Sequence, residues 1–147
     1  RRDSIMIFLD TDHLSVLQHR DSPRAEALRF RLRSVPSDDL ATTAVSLEEQ
    51  TRGWLAKIAA HKDVRNQIPY YSRLVELCEF YSRWNVQPFD ERAADEFLRL
   101  RRSGVGIGTM DLKIAAICLV EGATLLSANL KDFQQVPGLH VEDWLTL

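Results

Sequence analysis

The first apolar run, Ile5-Met6-Ile7-Phe8-Leu9, is too short for a helix and shows no alternation, which predicts a strand covered on both faces. It stops at Asp10. Thr11 or Asp12 can cap a short helix reaching about Gln18, and Pro23 can open a second one running to about Arg33. Pro36 to Asp39 reads as a turn, and Leu40 to Val45, rich in Thr and Val, as a second strand, with Ser46-Leu47-Glu48-Glu49 beginning the helix after it. Lys57 to Trp84 reads as a long helical region that Pro69 breaks into a hairpin, because proline lacks the N–H a helix interior needs. Val86 to Phe89 is a brief third strand. Asp90 caps a helix to about Arg102, and Gly104, Gly106 and Gly108 form a flexible loop. The next helix starts at Thr109 and is apolar from Leu112 to Val120 except for Lys113, so it is expected inside, with Gly122 as its left-handed stop. Thr124 to Leu126 is a fourth strand, Asn129 to Phe133 a loop or helical turn, and Leu139 to Val141 a last strand before an anchoring Trp144.

Strands alternating with helices imply parallel pairing and right-handed crossovers, and in such sheets ligands bind at the edge where strands end and helices begin. Four polar positions fall on that edge. They are Asp10 after the first strand, Glu49 in the first turn after the second, Asp111 in the first turn of the buried helix, and Asn129 after the fourth strand. Carboxylates gathered there repel one another unless a cation neutralises them, and hard oxygen donors favour Mg²⁺ or Mn²⁺, the ions of phosphodiester hydrolysis. Each residue also has a local explanation: Asp111 suits a helix N-terminus, Ser46 and Glu49 fit a capping box, and Asn129 suits a turn. Asp10 is the hardest to explain locally, since it caps nothing unless it starts the next helix.

Composition adds limits. With 147 residues, 45% hydrophobic and 27% charged, the chain is expected to form a single domain spanning 1–147 with one core and one site. No apolar run approaches the roughly 20 residues that span a bilayer, and no secretory signal layout is seen, so no membrane partner and a cytoplasmic setting are expected. Met6 already lies in the first apolar run, and residues 1–5 are expected to be flexible or partly extraneous to the domain. Cys78 and Cys118 lie in apolar helix-like segments and are read as small hydrophobes, without a disulfide. The net charge of −2 leaves phosphate contacts to local clusters, Arg29, Arg31 and Arg33 or Arg99, Arg101 and Arg102, whose plain reading is solvated helix faces. His13, His19, His61 and His140 lack zinc-motif spacing and are read as incidental, although His13 lies close to Asp10. Tyr70, Tyr71, Phe80, Tyr81 and Trp84, at helical spacing, are assigned to packing rather than to stacking on bases.

Four stretches in this order resemble the PIN-domain ribonucleases, especially the VapC-like toxin subunits of type II VapBC toxin–antitoxin pairs. They are Phe8-Leu9-Asp10-Thr11-Asp12; Glu49-Gln50-Thr51-Arg52-Gly53; Gly104 through Ile107 followed by Asp111-Leu112-Lys113-Ile114-Ala115-Ala116; and Leu126-Ser127-Ala128-Asn129 followed by Asp132-Phe133. The closing segment Val136 to Trp144 is also similar, so the resemblance runs nearly end to end. It implies an α/β fold, a PIN-like three-layer α/β/α sandwich with a central, mainly parallel sheet of four to five short strands. By the same resemblance Asp10, Glu49 and Asp111 match the family's metal-site acids, with the spacing to Gly53 favouring Glu49 over Glu48, and Ser127 stands for its usual Thr or Ser. Many relatives carry an acid where this chain has Asn129; Asp132 is the residue placed to compensate, and Asp12 is a further accessory candidate. The resemblance also implies endonucleolytic cleavage of RNA with Mg²⁺ or Mn²⁺, a homodimer, and a cognate antitoxin whose C-terminal segment occupies a groove.

Two other readings compete. Asp10-Thr11-Asp12 after an apolar strand mimics the nucleophile and general acid of a haloacid-dehalogenase-like phosphatase, but the late acidic pair of such an enzyme is replaced by Ser127-Ala128-Asn129. A catalytically weakened module that keeps the fold and binds RNA or protein is the second.

Overall fold

The apolar run that ends at Asp10 forms the middle strand of the molecule, whose computed structural model describes residues 5–19 and 22–146. The strands are β1 (Ile7–Leu9), β2 (Leu40–Thr43), β3 (Val86–Gln87), β4 (Thr124–Leu126) and β5 (His140–Glu142). The helices are α1 (Thr11–Gln18), α2 (Pro23–Leu32), α3 (Ala44–Ala59), α4 (Val64–Tyr81), α5 (Glu91–Arg102), α6 (Thr109–Glu121) and α7 (Leu130–Phe133), with a 3₁₀ turn over Ser37–Asp39. Of the expected flexible segment 1–5 only Ile5 is described; residues 1–4 lie outside the described residues. Among the described residues no helix is long and apolar enough to cross a membrane.

The five strands are ordered β3-β2-β1-β4-β5, and every neighbouring pair is parallel. Successive side chains of a strand point to opposite faces, so a short unbroken apolar run must be covered on both. Phe8 and Leu125 pack in one cluster with Ala93 and Leu100 of α5 and with Leu112 and Ile114 to Cys118 of α6. Leu9 and Leu126 pack in the other with Leu14 of α1, Leu28 of α2 and Leu77 and Tyr81 of α4. The result is the expected three layers. In α6, Leu112, Ile114 and Ile117 are at most 2% exposed, and each contributes on the order of 1.5–3 kcal/mol by its burial.

Several boundaries were legible. Ser22 accepts from the N–H of Ala25 with Pro23 in the first turn, Asp90 accepts from Ala93 N–H at 2.9 Å, and Gly122 closes α6 at φ 62°, a left-handed conformation in which a Cβ would be strained. Others moved. The second strand ends at Thr43, whose hydroxyl oxygen accepts from Ser46 N–H at 3.1 Å, so α3 starts at Ala44 and no capping box joins Ser46 to Glu49. The α3–α4 corner lies at residues 60–63, not at Pro69. Asp63 caps α4 through Arg65 N–H, while the Gln67 amide takes up the carbonyls of Ile58 and His61 at 3.1 and 2.7 Å. Pro69 falls in the second turn of α4, where it withholds one hydrogen bond and the helix runs on. The third strand stops at Gln87 rather than Phe89, and the last runs from His140 rather than Leu139.

The assignments of single side chains divide. Cys118 is buried, but Cys78 is exposed, so only the former behaves as a core residue. Tyr81 is buried and Phe80 and Trp84 pack around it, whereas Tyr71 is 53% exposed and packs no core. Trp144 is anchored as expected: the Arg31 guanidinium lies 4.2 Å from its ring centre.

Candidate active site

The strand order reverses between β1 and β4, which carry the chain to opposite sides of the sheet, and such a point leaves a crevice beyond the strand ends. Asp10 leaves β1 and Ser127 leaves β4 at that point. The Asp10 N–H donates to the Leu126 carbonyl at 2.9 Å, which sets Asp10 beside Ser127, and the Ser127 N–H is held by the Glu142 carbonyl of β5, also at 2.9 Å. The Ser127 hydroxyl then donates to Asp10 Oδ2 at 2.8 Å, while Thr11 N–H donates to Asp10 Oδ1 at 2.7 Å. Asp10 is therefore the N-cap of α1, the position expected for Thr11 or Asp12, but only one of its oxygens serves the helix. The other is committed to the crevice.

Glu49 comes from the second turn of α3, because the helix begins five residues before it, and Thr11 Oγ1 donates to its Oε1 at 3.0 Å. Asp111 sits in the first turn of α6 as expected. Asn129 caps α7 without its side chain accepting a backbone N–H of the helix, and points its amide nitrogen at Asp111 Oδ2 (3.2 Å) and Asp132 Oδ2 (3.1 Å). The capping-box explanation for Glu49 therefore fails, while Asn129 occupies the turn expected of it and adds a bond to Asp111. Asp12 turns the same way: its Oδ2 accepts from Ala128 N–H at 2.8 Å and lies 3.4 Å from the Ser127 hydroxyl.

Electrostatics couple these groups. Burial and then the charge of Asp12 push the Asp10 carboxyl up to about 7, with a further push from Asp111, against the hydrogen bonds of Ser127 and Thr11 that pull it down. Burial raises Glu49 as well, joined by the charges of Asp111, Glu48 and Asp12, and burial followed by the charge of Asp132 raises Asp111, with Asp12 adding to it. Asp12 goes the other way. Burial opposes its charge, but hydrogen bonds from His13 and Ala128 outweigh that cost and hold it below the usual carboxylate range. Asp10, Asp12, Glu49, Asp111 and Asp132 thus share one field of mutually repelling acids at one crevice, gathered from β1, α1, α3, α6 and α7. Among the described residues, no three His, Cys, Asp or Glu side chains stand close enough as placed to hold a metal ion. The donor set is nevertheless all oxygen, and its raised carboxyls are those that a bound cation would return to their ionised form.

The "PIN domain" family profile matches residues 7–139. The chain belongs to the PIN domain family. This PIN domain is similar, at 33% identity over 69 residues, to the tRNA(fMet)-specific endonuclease VapC of Salmonella typhimurium, an overlap that takes in 44% of this chain and 52% of that protein. It thus spans about half the length of the curated relatives it matches. In fold it is similar to VapBC-1 from nontypeable Haemophilus influenzae, with a TM-score of 0.75 and 22% identity over 97% of this chain and 100% of that one. It is also similar to VapBC-5 from Mycobacterium tuberculosis, a member of the VapBC family of toxin–antitoxin systems, with a TM-score of 0.58 and 25% identity over 95% and 98% of the two chains.

Two residues of this PIN domain escaped the sequence reading. Thr11 carries the contact to Glu49, and nothing in its neighbours distinguished that from a cap. His13, set aside as incidental, is fully buried and touches Asp12. The arginine clusters contribute unevenly. Arg99 is paired with Glu96, and Arg101 lies over Phe97 and donates to Thr109, so that cluster is partly spent within its own neighbourhood. Arg31 and Arg33 lie over Trp144 and Phe30 beside a shallow concavity.

Proposed function

We propose that the chain is a metal-dependent endoribonuclease, the toxin component of a toxin–antitoxin pair, with RNA as substrate. The observation that supports this reading is the run of hydrogen bonds beside the β1–β4 switch that links Asp10 through Thr11 to Glu49 and through Ser127 and Asn129 to Asp111, with Asp10 pushed up to about 7 by burial and neighbouring charge. Support for the reaction comes from the endonuclease named among its relatives, and for the antitoxin from the toxin–antitoxin family of a solved structure of similar fold. The antitoxin's segment would take the groove of about 1120 Å³ lined by Gln18, Gln50, Trp54, Leu77 and Phe80, which contains none of the site carboxylates. A homodimer and a cytoplasmic setting belong to the same reading.

Asp10, Glu49 and Asp111 would hold Mg²⁺ or Mn²⁺, since hard cations take carboxylate oxygens. When bound, the ion supplies positive charge against the phosphodiester and favours attack by water. The chain's own groups fix the acids for that task. Ser127 and the Thr11 N–H orient Asp10, the Thr11 hydroxyl orients Glu49, and Asn129 bridges Asp111 and Asp132 by donating to both from one neutral amide. The phosphatase reading asks Asp12 to donate a proton, whereas its hydrogen bonds hold it ionised, which favours the nuclease.

The purified chain, incubated with total RNA in Mg²⁺ or Mn²⁺, is expected to generate a small set of new RNA ends detectable by end sequencing, absent in EDTA and with Asp111→Asn. RNA left intact at high protein concentration, with no binding of Mn²⁺, would instead support the weakened binding module.

A further inference from the structure

His13 is fully buried, and its two ring nitrogens face different parts of the chain: Nδ1 stands 2.7 Å from Asp12 Oδ1, and Nε2 stands 3.1 Å from the backbone nitrogen of Trp144. A backbone N–H only donates. Nε2 must therefore be the bare acceptor, and the ring proton must sit on Nδ1, aimed at the Asp12 carboxylate. The other charged group beside the ring is Asp143, whose Oδ1 lies 3.9 Å from Nε2 and accepts from Leu145 N–H at 2.8 Å. Any buried imidazole needs partners for its nitrogens, so what distinguishes this one is which partners it has. This one spends both, and one of them on a residue 131 positions away.

Beyond Asp12 the chain of contacts continues. Asp12 Oδ2 accepts from Ala128 N–H at 2.8 Å and lies 3.4 Å from the Ser127 hydroxyl, which donates to Asp10 Oδ2 at 2.8 Å and whose oxygen accepts from Asn129 N–H at 3.0 Å. We infer that His13 is a positioning residue that ties the C-terminal segment at Trp144 to Asp12, and through Asp12 fixes the Ser127–Asn129 turn against Asp10. Groups that orient the residues of a catalytic centre through a second hydrogen bond act in this way. Its catalytic consequence rests on the nuclease reading; the hydrogen-bonded clamp itself does not.

Two amide variants, each reproducing the place of one ring nitrogen, separate the two halves of the clamp. His13→Asn places an amide N–H near the Nδ1 position, keeping the donor to Asp12 and giving up the acceptor for Trp144. His13→Gln reaches the Nε2 position with its amide oxygen, keeping the acceptor for Trp144 and giving up the donor to Asp12. The asparagine variant is expected to cleave RNA close to the wild-type rate. The glutamine variant is expected to lose about 10- to 100-fold in kcat with KM unchanged, the range for groups that orient site residues. Amide exchange at Trp144 should remain slow in the wild type and the glutamine variant and become fast in the asparagine one. In the wild type, long-range ¹H–¹⁵N spectra of the ring should show the proton on Nδ1 and a bare Nε2. A proton on Nε2, or losses of activity equal in both variants and tracking their thermal midpoints, would overturn the inference. Should the wild type cleave no RNA, the nuclease reading falls, while the ring spectrum and the Trp144 exchange still decide the clamp.

Discussion

Replacing Asp10 by Asn is expected to lower kcat for RNA cleavage by at least about 10²- to 10³-fold, comparable with removing one group that stabilises charge in a transition state. The substitution is nearly isosteric and leaves the fold intact. Its oxygen can still accept from Thr11 N–H, and its amide can face Ser127, whose hydroxyl then turns toward Asp12 at 3.4 Å. What it removes is the negative charge nearest the β1–β4 crevice. KM should change little, because affinity for a nucleic acid generally rests on many phosphate contacts, which a single buried substitution leaves in place. Single-turnover cleavage of a labelled RNA, alongside a urea melt showing that the variant is folded, checks the expectation; an unchanged rate removes Asp10 from the chemistry.

The same carboxyl predicts an unusual pH dependence. In metal-free protein its folded value is about 7 against an ordinary 3.8, so the folded state binds the proton more tightly than the unfolded chain does. The resulting stability is fully present below pH 3.8 and is lost as pH rises through about 7. Glu49 and Asp111 are shifted in the same direction. Asp12, shifted down, acts in the opposite sense, but its contribution is lost only as pH falls below the usual carboxylate range, outside this window. A rise of about three units at roughly 1.4 kcal/mol each bounds the Asp10 effect at about 4 kcal/mol. Urea midpoints measured in EDTA should therefore fall between pH 4 and 7, where most proteins gain stability. Asp10→Asn should flatten that fall and be more stable than the wild type at pH 7. Added Mg²⁺ should restore wild-type stability at pH 7 and leave the variant unmoved. A midpoint that rises with pH in EDTA would show that the acids do not strain the fold.

Much of this was readable from residue order, for a physical reason in each case. An unbroken apolar run closed by Asp10 has only one comfortable place, a central parallel strand, and that placement sends Asp10 to the ligand edge. An apolar helix closed by Gly122 is buried whatever surrounds it, and it brings Asp111 along. The competing caps were not readable: Thr43 and Ser46 are both good N-caps, and the choice is made by β2 ending two residues earlier than expected, which moves Glu49 out of the first turn and toward Thr11. Pro69 misled because a proline early in a helix costs one hydrogen bond, while Asp63 and Gln67 build the true corner. His13 was invisible because its meaning depends on Trp144, brought beside it only by the completed sheet.

The most direct measurement is a calorimetric titration of metal-free protein with Mn²⁺, on the wild type and on Asp10→Asn, Glu49→Gln and Asp111→Asn. Saturable binding by the wild type that each substitution weakens or abolishes is the expected result. Wild-type protein that takes up no Mn²⁺, or three variants that bind it as well as the wild type does, would contradict the joint role of these acids.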